Sequence, residues 1–345
     1  MTEIPDPSSS AEAAVGGEDD TAPPPTPPAP ADEAAPGPAG RPTPPGATPE
    51  SGNARPEGSA RASSSVNQRA GRNVYIAVPV ALGLGAALLG GLVWAQWLFV
   101  GVMALFVFRG MWELHRALRD HAQSRGAIVP AISGGVLTMV GLYAAHIGWL
   151  SWPPGQVVVV ILAATTVACL LARLPRGYEG YVRDAGASLF LIAYAGLLGS
   201  AVVLLMTGDK GSARAALFLA AVAGSDTGGF IAGILLGKHP MLPAISPKKS
   251  WEGVAGSLLL APLAALVVVA VAWPMPWWRA VVIAEVIAVF GILGDLVESA
   301  IKRDLGVKDL GHVIPGHGGV MDRVDSYILA APAGWIAFAL LAPHV

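Results

Sequence analysis

The sequence predicts an all-α fold, a polytopic integral membrane protein of about nine transmembrane helices with a disordered N-terminal tail. Three observations predict it. Of 345 residues, 53% are hydrophobic and only 13% are charged, about half the roughly 25% charged share of a soluble chain. Mean hydropathy is +0.56. Apolar runs of spanning length recur from Val74 onward, separated by short polar loops. The net charge of −2 gives no electrostatic case for nucleic acid. The single cysteine, Cys169, lies inside an apolar run, so neither an intrachain disulfide nor a cysteine-based metal site is expected.

Residues 1–72 are Pro, Ala, Gly, Ser and acid, with almost no large apolar side chain. Such a segment cannot bury enough surface to offset its ordering entropy, and it reads as a disordered cytoplasmic tail. It has no apolar core of a signal peptide. Its last part, from Arg55 to Arg72, turns basic, as suits a flank facing anionic lipid. Residues 73–210 form an N-terminal set of transmembrane helices, and 211–345 a C-terminal transmembrane region that carries the polar motifs.

A span needs about 20 apolar residues. Two are expected as a tight hairpin within Val74–Phe108. The others fall near Ile128–Leu150, Gln156–Leu174, Ala187–Met206, Ala213–Leu236, Val254–Trp273, Trp278–Val297 and Val324–Ala342. Basic residues cluster in alternate loops: Arg109, Arg116, Arg119 and Arg125; Arg173, Arg176 and Arg183; Lys238, Lys248 and Lys249; and the loop after Val297. With nine spans these loops share one side, which the positive-inside rule makes cytoplasmic. The opposite loops are short and rich in Trp and Pro.

Three polar features interrupt the apolar pattern. Asp226 lies in AVAGSDTGGFIAGILLGK, where Gly224, Gly228 and Gly229 are expected to thin or kink the helix. An intramembrane carboxylate is a functional-site hypothesis, with a small-residue packing face as the competing reading. Ile245 to Gly253 reads as a loop because Pro243 and Pro247 block a helix, and its paired lysines with two hydroxyls suit a triphosphate. The densest feature runs from Gly294 to Asp325. Asp295, Glu298, Ser299 and Lys302 are spaced to share one helix face, and Asp322 and Asp325 another. Between them lie Arg303, Lys308 and a Gly-rich loop with His317. Acids on two helix ends facing a Gly-rich basic loop are the parts of a metal–phosphate site. A solvated loop with a few ion pairs has the same composition. Glu285, also inside a span, is covered by none of these motifs and reads as paired with a basic group or structural, and His146 and His239 have no metal-ligand spacing.

The order Ser299-x-Ile301-Lys302-Arg303, Lys308-Asp309, Ile314-Pro315-Gly316-His317-Gly318-Gly319, Asp322-Arg323-Val324-Asp325 resembles, without gaps, the signature of the phosphatidate cytidylyltransferases, the CDP-diacylglycerol synthases. The string from Ser246 to Gly253 is similar to that family's second motif, and Asp226-Thr227 with Gly237-Lys238 to a third. Gly229-Phe230 departs from the Ala-Tyr of many members. The resemblance is motif-level from about Asp226 onward and rests on the multi-span pattern before it.

The resemblance implies a reaction of CTP with phosphatidate that yields CDP-diacylglycerol and pyrophosphate. It takes place on the cytoplasmic side of the cell membrane, with membrane lipids around it. It implies one or two Mg²⁺ ions on Asp295, Asp322, Asp325 and Asp226. Asp295, Asp322, Lys302, Arg303 and His317 are the expected catalytic residues. Ser246, Lys248, Lys249, Ser299, Lys308, Gly318, Gly319 and Arg323 are expected to bind substrate. A homodimer is implied by the family and by the Gly-rich spans. Two other readings stay open: a CTP-dependent polyprenol kinase, which releases CDP, and an ion-coupled transporter using Asp226 and Glu285.

Overall fold

The computed structural model describes residues 83, 85, 86, 88, 90–208, 210–311 and 319–342. The expected tail, most of the first span, and His317 and Gly318 of the signature lie outside the described residues.

Helix α1 (Gln96–His121) follows a helical stretch, residues 90–94, across a break at Ala95. A Cβ on Gly91 would sit 3.1 Å from the Phe99 backbone nitrogen, so glycine permits the tight reversal expected there. Then come α2 (Ile128–His146), α3 (Pro154–Arg173), α4 (Tyr181–Leu191), a π-helical turn (Ile192–Leu197) and α5 (Leu198–Leu204). After them come α6 (Gly211–Leu236), strands β1 (Pro240–Leu242) and β2 (Ser246–Ser250), α7 (Trp251–Ala272), α8 (Trp277–Asp304) and α9 (Met321–Leu341). Taking α4 through α5 as one rod, eight helices among the described residues are long and apolar enough to span a membrane. Of the nine expected, the missing one falls mainly on residues outside the description.

Small residues let these helices close on one another, as expected where lipid provides no hydrophobic drive between them. Contrary to expectation, α6 is not interrupted at its glycines. A side chain on Gly228 would collide with the Gly256 carbonyl of α7, and one on Gly224 would lie 2.8 Å from the Leu260 carbonyl. The glycines serve close α6–α7 contact within one chain, so they no longer argue for a dimer. Large apolar side chains such as Val159, Leu235 and Val271 face outward, as they must in a hydrocarbon solvent.

The Ser246–Ser250 segment is also not the expected loop. It pairs antiparallel with Pro240–Leu242, Leu242 opposite Ser246. In a two-stranded hairpin both strands are edges, where Pro247 costs no ladder bond. Ser250 then caps α7, its hydroxyl accepting from the Gly253 N–H at 3.1 Å.

The α1–α2 loop meets the α3–α4 segment, and the end of α8 meets the hairpin between α6 and α7. The Arg125 N–H donates to Asp184 Oδ1 at 2.8 Å and Arg176 to the Arg125 carbonyl at 2.7 Å. Arg303 reaches the Ile245 carbonyl at 3.2 Å. Arg173 and Asp184, exposed by only 4% and 1%, form a 2.7 Å ion pair, and Arg173 also donates to the Gly177 and Glu179 carbonyls.

Candidate active site

Helix α8 runs about two turns beyond the Val297 boundary expected from hydropathy, so Lys302 is helical, as its spacing from Asp295 and Glu298 requires, and Arg303 is helical too. Its end explains why. Gly306 has φ +68, the Val307 N–H donates to the Lys302 carbonyl at 2.9 Å, and the Gly306 N–H to the Arg303 carbonyl at 3.1 Å. These are the two bonds of a Schellman stop, which needs glycine at that position. The polar face of α8 is thereby extended toward the start of α9.

Helices α8 and α9 touch where Gly294 meets the backbone of Asp325 and Ser326. That contact brings together Asp295, Glu298 and Asp325, whose carboxylates each offer an oxygen within 4.8 Å of the others. Glu298 is fully buried and Asp295 half-exposed. The Ser326 hydroxyl of α9 donates to Asp226 of α6 at 3.4 Å, which puts a fourth acid beside the three.

Two lysines enter this acidic centre. Lys249, on β2, lies 2.8 Å from Asp295 Oδ2 and donates to the Ile292 carbonyl at 3.0 Å. Lys302 pairs with Glu298 one turn back and with Asp322 Oδ1 at 2.9 Å. Asp322 accepts on its other oxygen from the Leu310 and Gly319 N–H groups, at 3.2 and 3.0 Å. It therefore holds Lys302 and the two described flanks of the signature loop, while Glu298 takes the place expected for Asp322 among the three clustered acids.

The remaining expected residues divide. Ser299 turns its hydroxyl to Asp295 at 3.3 Å. Arg303 is exposed and bonded to the hairpin backbone. Lys248, Lys308 and Arg323 are exposed at the same end, and Ser246 is half-buried in β2. Glu285 is ten residues up α8 from Asp295, about 15 Å at 1.5 Å per residue, and takes no part. Glu298 was visible on the polar face but had no assigned role. Glu113 falls in the basic loop expected after Phe108 and had no signal there; α1 instead runs on to His121, and the Glu113 carboxylate accepts from the Met321 N–H at 3.0 Å.

The donor set fits a divalent cation. Five acids, Asp226, Asp295, Glu298, Asp322 and Asp325, gather with Lys249 and Lys302. Glu298 Oε1 is buried with no hydrogen-bond partner among the described residues. Buried polar atoms are rarely left so, and an all-oxygen carboxylate set suits a hard cation.

A multi-span membrane enzyme with metal-ready acids and phosphate-ready lysines at one end of its helices is the class these features define. A profile of the cytidylyltransferase family matches residues 76–341. The phosphatidate cytidylyltransferase of Mycobacterium leprae (strain TN) is 38% identical over 300 residues, covering 81% of this chain and 92% of that protein. Those of Mycobacterium bovis and Mycobacterium tuberculosis H37Rv are 36% identical over 287 residues, each covering 79% of this chain and, respectively, 90% and 84% of theirs. The chain belongs to the cytidylyltransferase family and is a nucleotidyltransferase of the membrane.

Proposed function

We propose that the protein is a phosphatidate cytidylyltransferase, joining CTP and phosphatidate to give CDP-diacylglycerol and pyrophosphate on the cytoplasmic face of the cell membrane, with Mg²⁺ as cofactor. The observation that carries the proposal is the meeting of Asp295, Glu298 and Asp325 with Lys249 and Lys302 where α8 and α9 leave the apolar bundle. A phosphate monoester has its second pKa near 6, so the lipid phosphate arrives largely ionised and needs no protein base. Its oxygen attacks the α-phosphorus of CTP, the bond to the bridging oxygen breaks, and pyrophosphate carries the charge away. Two polyanions must be brought together, so charge neutralisation and alignment are the chemistry required.

Asp295, Glu298 and Asp325, with Asp226 beside them, would hold Mg²⁺, which supplies charge stabilisation at the transferring phosphoryl group. Lys249 reaches this centre from a hairpin outside the bundle and bridges nucleotide phosphates to the acids. Lys302, fixed by Asp322, supplies a second ammonium, and Lys248, Arg303, Lys308 and Arg323 extend the positive field toward incoming CTP. His317 and Gly318 remain assigned to the loop near the α-phosphate by the resemblance alone. The location suits both substrates, because phosphatidate presents its phosphate at headgroup depth.

The test uses the full-length protein in proteoliposomes with labelled CTP, phosphatidate and Mg²⁺. Stoichiometric CDP-diacylglycerol and pyrophosphate are expected. Release of CDP with a phosphorylated lipid would identify a lipid kinase instead, and solute flux without nucleotide a transporter.

A further inference from the structure

Glu113 lies on α1, 208 residues before its hydrogen-bond partner Met321. It is 3% exposed, in a segment with no sequence motif. A helix start leaves its first N–H groups without intrahelical partners, and Glu113 Oε2 accepts the one at Met321 at 3.0 Å, with the Val320 backbone as a second partner. The carboxylate also fills the space above two glycines. A Cβ on Gly319 would lie 2.6 Å from Glu113 Oε2 and 2.8 Å from Asp322 Oδ2, and a Cβ on Gly311 would collide with the Glu113 carboxyl. Gly311 and Gly319 are the described residues on either side of the signature loop.

We propose that Glu113 is a positioning residue for the nucleotide site: it fixes the start of α9 and both flanks of the signature loop, and through them the Asp322–Lys302 pair. The linkage is continuous. Glu113 holds the Met321 N–H; the next residue, Asp322, accepts from Leu310 and Gly319 and holds Lys302; Lys302 in turn pairs with Glu298 of the acid cluster. Glu113 also lies 3.7 Å from Arg109 on its own helix, so its charge is partly balanced from behind. Loss of its side chain releases Asp322, and the ammonium it holds, relative to Asp295 and Asp325, which are set by the α8–α9 contact at Gly294. The effect should therefore fall on nucleotide binding more than on metal binding.

This inference rests on the CTP-dependent reaction proposed above, whose own test is wild-type turnover. Within an active wild type, Glu113→Ala, Glu113→Gln, Gly311→Ala and Glu113→Ala/Gly311→Ala are compared in proteoliposomes. Glu113→Ala is expected to raise the KM for CTP about tenfold, corresponding to roughly 1.4 kcal/mol, while the Mg²⁺ concentration for half-maximal rate stays within about twofold. Glu113→Gln keeps the acceptor for the Met321 N–H and should recover most of the loss. Gly311→Ala should reproduce the CTP effect alone and add nothing in the Glu113→Ala background, where the collision is gone. Additive effects, a Gln variant as impaired as the Ala variant, or a lowered melting temperature with unchanged CTP KM would each overturn the proposal.

Discussion

Lys302 gives the sharpest separation of structure from chemistry. Its ammonium sits between Glu298, which is fully buried, and Asp322, whose side chain is 6% exposed, and it is itself only 13% exposed. Lys302→Met leaves two buried carboxylates without their cation. Breaking a buried pair from one side costs about 3–5 kcal/mol. At the low end of roughly 2–4 °C per kcal/mol for a domain of 150–250 residues, this is a drop of about 6–10 °C in melting temperature for a chain this large. Adding Glu298→Gln removes one stranded charge and should return about half of the loss. Activity should not follow. The double variant lacks both the ammonium and one acid of the cluster, so kcat/KM should stay down by about 10²-fold or more, near 2.7 kcal/mol. Melting is read by differential scanning fluorimetry in detergent and turnover by pyrophosphate release. Wild-type stability in Lys302→Met, or recovery of activity with stability in the double variant, would refute this reasoning.

Other consequences are measurable in the same way. Lys249→Ala should raise the KM for CTP by about tenfold, roughly 1.4 kcal/mol, with melting within a few degrees of wild type, because the side chain is partly exposed. Gly256→Val should force α6 and α7 apart at the Gly228 carbonyl. A loss of about 1–3 kcal/mol is expected from overpacking, seen as earlier unfolding in detergent. Arg173→Ala breaks a buried ion pair remote in sequence from the acid cluster. It should cost about 3–5 kcal/mol yet leave the KM for CTP of the folded fraction unchanged.

Much of this was legible in the sequence, for physical reasons that can be named. Span positions follow from the length of helix that hydrocarbon demands, and α2, α3, α7 and α9 lie within a few residues of their expected bounds. The shared face of Asp295, Glu298, Ser299 and Lys302 follows from the helical repeat. What failed was how one helix ends and whatever depends on a partner element. Hydropathy ends α8 at its last apolar run, whereas the stop is set by Gly306 adopting a left-handed conformation after Arg303 has already been wound into the helix. The glycines of α6 looked like a break because their function is to accommodate α7, which no local pattern records. Pro247 argued against a helix correctly, but not against an edge strand. Glu298 lies with Asp295 and Asp325 while Asp322 sits beside them, because spacing places acids on a face without saying which of them the packing of α8 on α9 brings together. Glu113 could not be found at all from sequence: its role is defined by a backbone N–H 208 residues away.

The proposed chemistry depends on Asp295, Glu298 and Asp325 closing round a divalent cation. Anomalous scattering from crystals of the full-length protein grown with Mn²⁺ and a non-hydrolysable CTP analogue tests this most directly. A Mn²⁺ peak in contact with those three carboxylates is expected, and it should disappear in Glu298→Gln. Mn²⁺ bound elsewhere with these acids unengaged, or a peak unchanged in that variant, would contradict it.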